Sequence, residues 1–162
     1  MTELQEIAPA FVAMAHRIVW ATVGTVGPDG RPRTRILHPY WEWDGTTLTG
    51  VIATSPLSPK RRDLDRTPYV SVNYWAPDQD TCRADCRAEW ILDEAGRQEV
   101  WTTFAEAPEP VGYDPAIIPV WKDGPLSPAF GCLRLAPFAL RLMDGSLMLT
   151  GEGRLLTWRA DA

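Results

Sequence analysis

Two short basic segments hold the chemistry most available to this chain. The first is Arg31-Pro32-Arg33-Thr34-Arg35-Ile36-Leu37. On a strand, alternation sends Arg31, Arg33 and Arg35 to one face. Like charges repeated along a strand face repel unless water or an anion lies between them. This segment by itself fits either a solvated strand face or an anion site. The second runs Thr54-Ser55-Pro56-Leu57-Ser58-Pro59-Lys60-Arg61-Arg62. It joins hydroxyls, backbone N–H donors and three cations at the start of a short helical turn, chemistry suited to a terminal phosphate. A capped helix with surface cations is the simpler alternative, because Asp63 and Asp65 partly neutralise the run. A hairpin joining the strands that carry the two segments sets them side by side, and that juxtaposition favours a phosphate pocket.

Other chemistry is weaker. Gly24-Thr25-Val26-Gly27-Pro28-Asp29-Gly30 is glycine-rich, but its spacing does not fit G-x-G-x-x-G. A strand opening with Arg31-Pro32 follows it, so it reads as a hairpin turn. No P-loop, HExxH or GxSxG sequence occurs. Cys82 and Cys86 share a strand face yet lie ~13 Å apart by the strand rise, too far for one metal. With Cys132 they read as packing residues, and no metal site is expected. The two histidines, His16 and His38, leave little room for histidine catalysis, though His38 is a candidate hydrogen-bonding group toward a ligand. No catalytic residue is assignable.

The elements that must position these residues are mostly strands. Apolar residues at Leu4, Ile7, Ala10, Phe11, Met14 and Ala15 predict an amphipathic helix over 2–17, with Thr2 as N-cap. Strands follow at 18–25, 31–43 and 46–54, the first two joined by Gly27-Pro28-Asp29-Gly30 and the next two by Asp44-Gly45, a dipeptide suited to a type I′ turn. This reads as an antiparallel meander. A helical turn over 60–66, strands at 69–75 and 83–92, and a helix near 95–106 with Val100, Trp101 and Phe104 on one face come next. The proline-rich segment 107–128 is an ordered loop whose Tyr113 and Trp121 pack down on something. Strands at 130–142, 146–150 and 154–158 complete a mainly β, α+β chain. The expectation is a small, nearly closed antiparallel barrel of roughly six or seven strands with two or three flanking helices.

The chain has 162 residues, a single domain's length, and a net charge of −5. That balance speaks against nucleic acid as a partner, since phosphate-backbone binding needs a dominant basic surface. No run approaches the roughly 18 consecutive apolar residues that span a bilayer. The N-terminal residues lack a basic region followed by an apolar core, so no secretory signal is read there. Three cysteines give no paired framework, and the cytoplasm is the expected location.

The run Ala21-Thr22-Val23, Pro28-Asp29-Gly30-Arg31-Pro32 and Arg35-Ile36-Leu37 resembles the first hairpin of the FMN-binding split β-barrel superfamily. Pyridoxamine 5′-phosphate oxidases, general-stress flavoproteins and flavin/deazaflavin oxidoreductases belong to it. Arg35-Ile36-Leu37 stands where those oxidases contact FMN. Thr54, Ser58 and Lys60 match a T-x-x-x-S-R-K pattern that binds the flavin phosphate, with Pro59 in place of its Arg. Pro68 before Val70-Ser71-Val72, and a late strand from Gly131 to Pro137, fit the same order, so the resemblance covers most of 15–158.

The resemblance implies a split β-barrel domain over 1–162 that binds FMN between the subunits of a homodimer. Lys60, Arg61 and Ser58 would hold the phosphate, supported by Arg33 or Arg35. Thr54 and Ser55 would meet the ribityl chain or ring edge, and Arg35, Ile36 and Leu37 the pyrimidine side. The oxidases' C-terminal Arg-Leu-x-Pro sequence is missing, as is their Gln expected near Ala84. A small molecule other than pyridoxamine phosphate is therefore the expected substrate, with the proline-rich loop and the tryptophans shaping an apolar pocket beside the ring. Trp158 is read as packing, with covering the flavin or substrate of the partner subunit as the alternative. Alternatives on the same barrel are an F420-dependent reductase, or a non-catalytic flavin- or haem-binding module with His16 or His38 as axial ligand.

Overall fold

The computed structural model describes residues 2–160. Its elements are α1 (Leu4–Ile18), β1 (Ala21–Val26), β2 (Pro32–Leu37), β3 (Pro39–Trp43), β4 (Leu48–Thr54), α2 (Lys60–Arg66), β5 (Tyr69–Trp75), β6 (Thr81–Ile91), α3 (Glu94–Glu106), two 3-10 turns (Pro115–Ile117 and Pro119–Trp121), β7 (Gly131–Met143), α4 (Gly145–Thr150) and β8 (Leu155–Arg159). The eight strands form one sheet in the order β2-β1-β5-β6-β7-β4-β3, with β8 on β7, and every pairing is antiparallel.

The expected strand over 31–43 is two strands, and its break explains the architecture. β2 pairs with β1 up to Leu37↔Ala21, whereas β3 pairs with β4 from Pro39↔Ile52. Pro39 has no N–H to extend the β1 ladder, so the chain changes partners across His38. The two ends of the sheet are thus joined through one residue, which obliges the sheet to curl. This is a split β-barrel, with His38 at its seam, instead of a simple meander.

The 13-residue strand β7 holds the other side together. Its first part pairs with β4 and its last part with β8, while β6 runs along its opposite edge. The register shifts between Asp85 and Cys86 opposite Ala139 and Pro137, leaving Phe138 as the extra residue of a bulge. That bulge is where a strand tolerates a proline.

Alternation follows the sequence on β5, where Val70, Val72 and Tyr74 point into the core. Helix α1 lays Ile7, Phe11, Met14 and Ala15 on the barrel interior. There Phe11 meets Trp41 edge-on at 5.0 Å, and the Trp41 indole N–H donates to the Tyr74 hydroxyl at 2.8 Å. A second core of Ile91, Val100, Phe104, Trp121, Phe130 and Cys132 seats α3 and the proline-rich loop on the sheet.

Three local expectations change. Glu3, not Thr2, stands at the N-cap of α1, and no side chain caps it; Thr2 donates its N–H to the Thr157 carbonyl instead. At the β3–β4 turn positive φ falls on Gly45 and not on a second residue, so the turn is not type I′. Residues 146–150, expected as a strand, form helix α4. Leu and Met favour helix, the Gly145 N–H is held by the Asp80 carboxylate at 2.7 Å, and left-handed Gly151 ends the turn.

Candidate functional site

Strand β2 presents Arg33 and Arg35 on one face, and both guanidiniums turn toward helix α2. There Asp63, fully buried, accepts from Arg33 at 2.8 Å and lies 3.6 Å from Arg35. The buried Thr25 hydroxyl links them, donating to Asp63 at 3.0 Å and accepting from Arg35 at 2.8 Å. Asp63 therefore neutralises the strand arginines and not its own helix, as its place in the basic run suggested. Arg31 lies ahead of β2, exposed and outside this cluster.

Lys60 opens α2 and is also buried. Its ammonium donates to the Ser58 hydroxyl at 2.5 Å, and among the described residues no carboxylate lies within ion-pair distance. Burial, helped by repulsion from Arg35, pulls its pKa down to about 8. Burial likewise lowers Arg35. The cluster sets Arg33, Arg35 and Lys60 against Asp63, with Asp29 at 3.6 Å from Arg33, and so keeps excess positive charge centred on Lys60.

The turn before α2 is tightly wound. The Ser55 carbonyl accepts from both the N–H and the hydroxyl of Ser58, and the Ser55 hydroxyl accepts from the Leu57 N–H. Arg61 stands apart from the cluster: it pairs with Asp65 at 2.9 Å and lies over the Trp90 ring at 5.3 Å.

A cleft of about 450 Å³ opens beside the seam. One wall carries Ile36, Leu37 and His38 with Ala53 and Thr54 at the end of β4; the other is the proline-rich loop, through Pro110, Gly112, Tyr113, Ile117, Ile118 and Trp121. Its volume is that of a small-molecule site. His38 stacks on Tyr113 at 5.0 Å and meets Phe104 edge-on at 5.5 Å and Trp20 at 5.1 Å. At the rim, Val19 adopts φ 72° and ψ −62°, and the Trp20 N–H donates to the Ile18 carbonyl at 2.9 Å. This is a γ-turn of the rare, strained kind, in a β-branched residue.

Of the residues singled out from sequence, Arg33, Arg35 and Lys60 share the basic cluster, with Ser58 bound to Lys60. Ile36, Leu37 and Thr54 line the cleft, Ser55 shapes the turn between, and Arg61 is paired elsewhere. Sequence reasoning missed Thr25 and the Val19-Trp20 rim. Trp20 directly follows the β-branched pair Ile18-Val19, a pattern that gives no sign of a turn.

The family model for pyridoxamine 5′-phosphate oxidase matches residues 7–144. No curated protein matches. Solved structures share the fold at low identity. A Clostridium acetobutylicum protein related to general stress protein 26, of the pyridoxinephosphate oxidase family, is 13% identical with a TM-score of 0.68, covering 96% of this chain and 94% of its own. A pyridoxamine 5′-phosphate oxidase-related, FMN-binding protein from Nostoc punctiforme is 16% identical with a TM-score of 0.63, covering 100% of both chains. A heme binding protein from Mycobacterium smegmatis is 18% identical with a TM-score of 0.60, covering 98% of this chain and 59% of its own.

Proposed function

This chain belongs to the pyridoxamine 5′-phosphate oxidase family, and we propose that it is an FMN-dependent oxidoreductase acting on a small molecule other than pyridoxamine phosphate. The observation that carries this reading is Lys60, a buried ammonium with no carboxylate within ion-pair distance among the described residues, six positions after Thr54 on the wall of an apolar cleft of ligand size. A buried cation without a counter-charge is costly, and a phosphate dianion supplies both charge and acceptor oxygens.

The residues fit that cofactor. Lys60 and the Ser58 hydroxyl would grip the phosphate, with Arg35 adding positive potential and Asp63 fixing where Arg33 and Arg35 point. Thr54 and Ser55 would meet the ribityl chain, and Ile36 and Leu37 one edge of the ring system. Bound flavin would supply the hydride or electron transfer; the protein binds, orients and keeps water out. Arg61, held by Asp65, would serve only through its field.

A homodimer with flavin between its subunits completes the reading. Trp20, Ile36, Tyr69 and Trp75 are all about half exposed or more, large apolar side chains of the kind a second subunit would cover. Among the described residues no helix is long and apolar enough to cross a membrane. Burial pushes all three thiols up, Cys132 to about 12, which makes them inert packing groups and suits the cytoplasm.

One observation favours a second reading. His38 is an imidazole on the wall of an apolar cleft whose Nε2 has no hydrogen-bond partner among the described residues, a candidate axial ligand for haem. A visible spectrum of the purified protein with added FMN separates the two. Oxidised-flavin bands that stay with the protein through gel filtration are expected; a Soret band lost in His38→Ala, with no flavin retained, would replace the flavin reading with haem.

A further inference from the structure

Helix α2, which opens with Lys60, has little of its own to hold it in place. It is seven residues long, and Pro59 at its N-cap offers no capping side chain. A helix this short depends on tertiary contacts. The residues it buries are Lys60, Asp63 and Leu64, at i, i+3 and i+4, so they share one face. Only Leu64 among them is apolar. How α2 is seated on the sheet therefore turns on what meets the Asp63 carboxylate.

Two strands meet it. One carboxylate oxygen accepts from the Arg33 guanidinium at 2.8 Å, and the other accepts from the Thr25 hydroxyl at 3.0 Å. Thr25 and Arg33 are cross-strand partners in the β1–β2 register, so they reach Asp63 from adjacent points on the sheet. They differ in stiffness. Arg33 is a long, partly exposed side chain on the end strand. Thr25 is buried on β1, which has a strand on either side, and its β-branched side chain has few rotamers.

The Thr25 hydroxyl is fully committed. A carboxylate only accepts, so the hydroxyl proton goes to Asp63 and a lone pair is left for the Arg35 guanidinium, which donates at 2.8 Å. The same Arg35 nitrogen reaches the Val23 and Arg33 carbonyls only at 3.2 and 3.3 Å. One hydroxyl thus joins the arginine of β2 to the face of α2 on which Lys60 lies one turn before Asp63.

We propose that Thr25 is a positioning residue of the anion site: its hydroxyl bolts α2 to β1 in the rotation that sets Lys60 beside Arg35, so that both cations serve one oxyanion. The inference rests on the flavin reading for the identity of that oxyanion, the cofactor's phosphate. Thr25 is 3% exposed with both roles of its hydroxyl filled, so it acts through Asp63 and Arg35 and touches no ligand itself.

The test compares Thr25→Val, which keeps the shape and removes the hydroxyl, with Thr25→Ser, which keeps the hydroxyl. Amide exchange of residues 64–67 is measured on the cofactor-free protein, and affinities for FMN and riboflavin are measured at pH 7. Thr25→Val is expected to speed that exchange about tenfold while β5 and β6 stay unchanged. It should weaken FMN binding about tenfold and riboflavin binding by no more than about twofold, because riboflavin carries no phosphate. Thr25→Ser should stay within about threefold of the wild type on every readout. Thr25→Cys, whose thiol is a weak donor, replaces the valine variant if that variant does not fold, with the same expectations. A wild-type preference for FMN that survives Thr25→Val undiminished would overturn the inference. So would equal losses of FMN and riboflavin, exchange that quickens throughout the sheet, or a serine variant no better than valine. Faster exchange confined to α2 in a protein whose wild type never prefers FMN over riboflavin would sink the cofactor reading and leave the bolt standing.

Discussion

Lys60 shows how a functional residue works against the fold that carries it. Its ammonium titrates near about 8 in the folded protein and at the ordinary lysine value of 10.5 in the unfolded chain. Below pH 8 both states are protonated, and the buried charge destabilises the flavin-free fold in full. Between those values the unfolded chain holds the extra proton, so the contribution of Lys60 to stability improves as pH rises. Lys60→Met should therefore stabilise the flavin-free protein at pH 7, by about 1 kcal/mol once solvent screening is discounted. That corresponds to a Tm increase of about 3 °C in a thermal melt. The same variant should weaken FMN binding by at least about tenfold. A lower Tm would show that the ammonium has a stabilising partner after all. The basic run itself was legible in the sequence. What each acid neutralised was not: Asp63 reaches across to β2 while Asp65 stays with Arg61, and only tertiary contact decides that.

At the scale of elements, the proline-rich loop matters because it forms one wall of the cleft. Arg97 of α3 clamps it by donating to the Ser127 and Phe130 carbonyls, and the Tyr113 N–H donates back to the Phe104 carbonyl. Arg97→Ala should loosen residues 119–130 and raise their amide exchange about tenfold or more, while exchange in β5 and β6 stays unchanged. Uniform acceleration through the sheet would mean that Arg97 supports global stability instead. Most strands were readable from alternation and turn residues, β5 to the residue. The break at His38-Pro39 was not: a proline inside a run rich in strand formers demotes a strand, yet sequence pattern does not reveal that the chain resumes on a distant partner. Helix α4 was misread because Leu147-Met148-Leu149 has no alternation to mark a period, and its Met148 and Leu149 remain exposed.

For the whole molecule, the cluster of Arg33, Arg35 and Lys60 sits in an otherwise acidic chain of net charge −5. Local placement of the cations, not overall charge, makes the anion site. The proposed dimer predicts a sedimentation mass of twice the 18.1 kDa chain, and Ile36→Lys, on an exposed side chain, should shift that mass toward the monomer and lower flavin retention with it. A monomeric wild type that keeps full flavin would place the whole site within one chain.

The central claim is that a phosphate held at Lys60 anchors the cofactor, and comparing FMN with riboflavin tests it most directly, because the two differ only in that phosphate. At pH 7 the protein should bind FMN about a hundredfold more tightly than riboflavin. Raising the pH to 9 should cut that advantage about tenfold as Lys60 loses its proton, and Lys60→Met should abolish the pH effect. Equal affinity for FMN and riboflavin at pH 7 would contradict the account.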